Sequence, residues 1–127
     1  MIKALHHADI IIPNGAEDSA RNFYCNLLGF SEIEKPDVLK SNGGLWLQLS
    51  NAQIHLSYEK KEGIDPAKTK AHLAYVVDNI EALEKSLIES NCPVKKQVQL
   101  PGMLRLETED PFGHRIEFIE IIQEDKL

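Results

Sequence analysis

Residues 6–30 read HHADIIIPNGAEDSARNFYCNLLGF. The stretch opens with alternation: Ala8, Ile10 and Ile12 fall on one face of an extended chain, and His7, Asp9 and Ile11 on the other. Pro13-Asn14-Gly15 marks a turn. Ala16, Ala20, Phe23, Tyr24, Leu27 and Leu28 then recur at the spacing of one buried helical face. Asn14 or Asp18 is placed to cap that helix, and Gly29 follows its last apolar pair, where a left-handed residue ends a helix. The pattern therefore predicts strand, turn and helix.

Downstream, SEIEK, LWLQLS and QIHLSY predict three further strands. A turn at Asn42-Gly43-Gly44 precedes the second of them, and Asn51-Ala52 connects the second to the third. The charged stretch KKEGIDPAKTK, residues 60–70, reads as a linker. Beyond it the pattern restarts. HLAYVV at 72–77 is a strand, and Asp78 with Glu81 forms a capping box for a helix whose apolar face is Ile80, Leu83, Leu87 and Ile88. Asn91 is its predicted stop. PVKKQVQL and MLRLETE predict two strands around Pro101-Gly102, and a turn at Asp110–Gly113 leads into RIEFIEII. Each half reads strand–helix–strand–strand–strand, an internal repeat. The expected fold class is α+β in one domain over 1–127, with module one at 1–60, a linker at 61–70 and module two at 71–122.

Four polar residues occupy equivalent places in this repeat. His7 and His72 lie on the first strand of each half, His55 and Glu117 on the last. The separations are 48 and 45 positions. Apolar neighbours such as Ile54 and Leu56, or Ile116 and Phe118, take the opposite face and should pack against the helices. Three imidazoles and a carboxylate brought together would suit Zn, Fe, Mn, Co or Ni. Such a metal would act as a Lewis acid on substrate oxygens, with Glu117 as ligand or base. The competing explanation is a polar pocket in which the histidines hydrogen-bond and no metal binds. Trp46 and Gln48 are either pocket lining or sheet packing, and the Leu100–Leu104 loop is a candidate cover for a cup mouth.

Composition narrows the function classes. The chain has 127 residues, 43% of them apolar, and a formal net charge of −6 with scattered Lys and Arg. Nucleic acid is not an expected partner, because phosphate binding needs clustered positive charge. No apolar run is long enough for a membrane helix, and the N-terminus lacks a signal-peptide pattern, so a cytoplasmic location is expected. Cys25 and Cys92, outside any CxxC arrangement, are expected to be reduced thiols.

HHADIIIPNGAEDSARNFYCNLLGF resembles the opening of the vicinal oxygen chelate superfamily, also called the glyoxalase/bleomycin resistance/dioxygenase superfamily. IHLSYE, KAHLAYVVDNIEAL and DPFGHRIEFIE match it in the same order, and together the segments cover almost the whole chain. The resemblance implies two tandem βαβββ modules forming a curled, mostly antiparallel sheet around a cup, often completed by a homodimer. It implies metal ligands at His7, His55, His72 and Glu117, and a metal-dependent lyase, isomerase or dioxygenase acting on a small oxygen-rich substrate. Glyoxalase I has a carboxylate where His55 stands, and no arginines matching its glutathione site are evident among Arg21, Arg105 and Arg115. His7, His72 and Glu117 alone resemble the two-histidine, one-carboxylate triad of extradiol dioxygenases and thiol transferases. The alternative within the superfamily is a metal-free, non-catalytic antibiotic-binding protein of the bleomycin-resistance type. Transfer of a thiol to an antibiotic such as fosfomycin ranks lower, because the chain is poor in phosphonate-binding Lys and Arg.

Overall fold

The computed structural model of the chain describes residues 1–60 and 63–122. The linker positions 61–62 lie outside the described residues. The chain forms two compact units, Met1–Gly63 and Ile64–Leu127.

In the first unit, β1 (His7–Ile11) leads to α1 (Glu17–Ala20), which continues as a π-helical stretch over Arg21–Leu27. β2 (Ser31–Ile33), β3 (Leu45–Gln48) and β4 (Gln53–Ser57) follow. The sheet order is β1-β4-β3-β2. β4 pairs antiparallel with β3 but parallel with β1, so the sheet is mixed. That parallel pairing is what makes the first and last strands neighbours. It is possible only because the helix and two further strands carry the chain back to its starting side. Ile12, Tyr24, Leu45, Leu47, Ile54 and Leu56 are at most 3% exposed and form the core of this unit.

The α1 region departs from the simple helix that the apolar spacing predicts. Neither Asn14 nor Asp18 caps it; Ala16 is the N-cap, with no side-chain hydrogen bond. After Ala20 the bonds widen, as Leu28 N–H donating to the Phe23 carbonyl shows (3.0 Å). Gly29, at φ +84°, ends the element as expected. The Asp37–Asn42 stretch, which carries no apolar periodicity, forms a 3-10 turn that the pattern does not signal.

The second unit repeats this plan with β5 (His72–Val76), α2 (Ile80–Glu89), β6 (Lys95–Lys96), β7 (Met103–Glu109) and β8 (Arg115–Ile121). Its order is β5-β8-β7-β6, with β5 parallel to β8. α2 packs on β7 and β8, burying Ile80 and Leu87 with Leu106, Ile116 and Phe118. Ile88, expected on that face, is 57% exposed.

The cap of α2 is Asn79 rather than Asp78. Its Oδ1 accepts from Ala82 N–H at 3.0 Å, and Glu120 Oε1 reaches over from β8 to accept from Ile80 N–H at 2.8 Å. Asn91, at φ +59°, stops the helix, with its N–H on the Ile88 carbonyl and Cys92 N–H on the Leu87 carbonyl. Asn79→Ala should cost about 1 kcal/mol of stability in urea unfolding, and Asp78→Ala close to nothing. Equal effects of the two would overturn this assignment.

PVKKQVQL contributes Lys95–Lys96 and a single bridge at Leu100 to the sheet, while Gln97 and Gln99 spend their side chains bonding Glu107 and Arg105. MLRLETE forms β7 over its whole length, as the alternation predicts, so the candidate cover at Leu100–Leu104 is a loop only up to Gly102. No helix among the described residues is long and apolar enough to cross a membrane.

Candidate functional site

Two polar clusters form, one on each sheet, and the register explains both. In the first unit Asp9 pairs with His55, and in the second Ala74 pairs with Glu117. His7 and His72 each stand two residues before those partners, on the same face of a neighbouring strand. The predicted pairs therefore meet within their own modules.

His7 and His55 stack face to face, with centroids 4.0 Å apart and planes 16° from parallel. Trp46, directly opposite His55 on β3, stacks on its other side at 4.0 Å and 2°. Trp46 is thus tied to a candidate site residue. Gln48, by contrast, closes the β3–β4 turn, donating to the carbonyls of Leu49 and Ala52. His55 is 5% exposed, and its Nε2 lies 2.9 Å from Gln53 Oε1. An amide oxygen only accepts, so Nε2 carries the proton. His6 Nδ1 lies 2.9 Å from His7 Nδ1, with the two rings edge to face.

Burial holds His55 below the ordinary imidazole value, His7, His6 and Lys35 push the same way, and Asp9 opposes them. A folded-state value below the unfolded one means stability is complete above about pH 6.5 and is lost as pH falls below it. The loss levels off once the folded-state value is passed. Substituting His55→Phe keeps a ring in the stack and removes the titration. The parent should lose more stability than this variant between pH 7 and pH 5 in urea unfolding. Equal losses would refute the role of burial.

In the second unit His72 Nδ1 lies 2.9 Å from the Lys70 carbonyl. A carbonyl cannot donate, so Nδ1 holds the hydrogen and, in the neutral ring, Nε2 presents a lone pair. That nitrogen faces Glu117 Oε1 at 3.3 Å. The other oxygen, Oε2, takes a 2.6 Å bond from Arg105 Nε, and Arg105 Nη1 donates to the Val98 carbonyl. Arg115 and Gln97 hold Glu107 beside it. Glu117 is 7% exposed, so its charge needs these partners.

Arg105 is the functional candidate that pattern reading passes over. Alternation in MLRLETE puts Arg105 and Glu107 on one face, but only the β7–β8 register carries that face to Glu117.

The donor set can be tested against a metal ion. Two ligands of a tetrahedral ion, each about 2.0–2.2 Å from it, lie about 3.3–3.6 Å apart. The 3.3 Å between His72 Nε2 and Glu117 Oε1 fits, and it is longer than a charge-assisted hydrogen bond such as the 2.6 Å one from Arg105. The Lys70 carbonyl also supplies the outer bond that orients a ligating histidine. His7 and His55 fit differently. Their lone pairs lie in nearly parallel planes, so at most one of them could ligate a given ion without leaving the stack. Among the described residues no three His, Cys, Asp or Glu side chains gather as a metal cluster.

Residues 4–118 match the Glyoxalase/Bleomycin resistance protein/Dioxygenase superfamily. A glyoxalase family protein from Bacillus anthracis has a crystal structure that superposes with a TM-score of 0.86 at 37% identity, covering 95% of this chain and 97% of that one. Glyoxylase I 4 from Arabidopsis thaliana is 26% identical over 126 residues, spanning 91% of this chain and 70% of that protein. The fosfomycin resistance protein FosX from Listeria monocytogenes shares the fold over the full length of both chains, with a TM-score of 0.75 at 16% identity. The chain belongs to the glyoxalase/bleomycin resistance protein/dioxygenase superfamily.

Proposed function

We propose that the protein is a divalent-metal-dependent enzyme acting on a small oxygen-rich substrate, with the ion held by His72 and Glu117. The observation that carries this reading is the His72 Nε2 lone pair facing Glu117 Oε1 at 3.3 Å, with Nδ1–H pinned on the Lys70 carbonyl. With the imidazole neutral, two acceptors that close need a proton or a cation between them. When bound, the ion supplies Lewis-acid polarisation of substrate oxygens. The protein's part is positional. Arg105 occupies Oε2 of Glu117, leaving Oε1 as the oxygen available for ligation. A carboxylate committed on both sides is a ligand rather than a general base. Lyase, isomerase and dioxygenase chemistry all use such a centre, and a homodimer is part of the same proposal.

A second reading is favoured by the stacked histidines: a metal-free binding protein whose rings hold a ligand. The solved structures resembling this fold include TnmS3, an antibiotic-binding protein from Streptomyces, at 18% identity and a TM-score of 0.72. Metal analysis of the purified chain separates the two. The enzyme reading expects about one Mn, Fe, Co, Ni or Zn ion per chain, retained or taken up at pH 7–8, where neutral imidazole dominates. A chain that takes up none of the five sinks the enzyme reading in its metal form.

A further inference from the structure

The Trp46–His55–His7 column does something the metal reading does not use. Three rings from three adjacent strands, β3, β4 and β1, lie at 4.0 Å intervals with planes 2° and 16° from parallel. The inner ring, His55, is buried between the other two. The column ends on His7, which is exposed and sits on an edge strand, so no further strand of its sheet lies beyond it. Polar groups rim this last ring. His6 stands edge-on to it at 5.2 Å and 85°, and Asp9 lies two residues along on the same face of β1.

A stack of aligned rings that stops at an exposed ring offers its open face to one more flat ring. Stacking at such a face tolerates varied substituents and favours a planar partner over a puckered one. The rim selects further, because His6 and Asp9 can bond a hydroxyl or N–H at the edge of that ring.

We propose that the exposed face of His7 is a stacking subsite for a planar aromatic or heteroaromatic ligand bearing a polar hydrogen-bonding substituent. The ligand ring becomes the fourth member of the column. Imidazole ligates in its plane and stacks on its face, so the subsite requires no metal and stands apart from the metal proposal.

The full chain contains a single tryptophan, so the indole N–H signal of Trp46 in a ¹H–¹⁵N NMR spectrum reports on the column without ambiguity. The probes are 2-naphthol and decahydro-2-naphthol, which share a hydroxyl and differ in planarity. Both are titrated by calorimetry and NMR, in the presence of EDTA. The planar probe should bind at least tenfold more tightly than the saturated one and shift the indole signal. His7→Leu, which keeps apolar bulk but removes the flat face, should weaken 2-naphthol binding at least tenfold. Because His7 is exposed, that variant should fold as the parent does, which its spectrum verifies. Equal binding of the two probes, binding of neither, or undiminished binding by His7→Leu would each overturn the subsite. Since EDTA is present throughout, these outcomes are independent of whether the protein takes up a metal.

Discussion

Glu117→Gln is expected to weaken divalent-metal binding by about 100-fold or more, equivalent to about 2.7 kcal/mol. The substitution keeps the shape of the side chain and an oxygen to accept the Arg105 bond. What it removes is the negative charge, and with it the attraction of Glu117 Oε1 for a cation beside His72 Nε2. His72→Ala should give a loss of similar size by deleting the nitrogen. It sits on the edge strand β5 and is exposed, so its effect on stability should stay within about 0.5 kcal/mol. Calorimetric titration of the parent and both variants with Zn or Mn, alongside urea unfolding, checks this. Unchanged affinity in either variant would remove that residue from the ligand set. Weak binding accompanied by unfolding would reassign Glu117 to structure, as the partner that keeps Arg105 satisfied.

Gly44→Ala should destabilise the chain by about 2–4 kcal/mol. Gly44 lies at φ +83°, and a Cβ there would overlap the backbone carbonyl oxygen of Leu56 on the neighbouring strand. Backbone cannot swing aside as a side-chain end can. The residue also donates its N–H to Glu17 Oε2 at 2.9 Å, and Glu17 in turn accepts from the Tyr58 hydroxyl. One position thereby ties the start of β3 to the first turn of α1 and the end of β4. Gly29→Ala provides the comparison: φ is +84°, but the space around it is open, so only the backbone cost of about 1 kcal/mol remains. Urea unfolding of both variants tests the difference. If Gly44→Ala cost no more than Gly29→Ala, the close approach would carry no weight. Because Trp46 begins the ring column two residues later, a displaced β3 should also shift the indole signal.

Much of the fold is legible along the chain, for identifiable reasons. Period-two alternation in QIHLSY and RIEFIEII reflects strands with different surroundings on their two faces, and Ile54, Leu56, Ile116 and Phe118 are indeed buried. Gly29 and Asn91 stop their helices at positive φ, a demand that few residue types meet. Other features are settled by contacts distant in sequence. Glu120, forty residues away, bonds the first N–H of α2, and the helix starts after Asn79 rather than Asp78. The side chains of Gln97 and Gln99 bond Glu107 and Arg105, and PVKKQVQL is not a full strand.

The site divides in the same way. Residue type and repeat position, both written in the sequence, single out His7, His55, His72 and Glu117, because equivalent strands carry them in two copies of one motif. The tertiary structure alone decides what they meet. Parallel pairing of β1 with β4 and of β5 with β8 brings each pair together with the same two-residue offset. Strand register then makes the pairs chemically different. β3 delivers Trp46 to His55 and completes a column of rings, whereas β7 delivers Arg105 to Glu117 and completes a charged network. A strand's own sequence sets which side chains share a face; which face they meet on the next strand depends on how the backbones are paired.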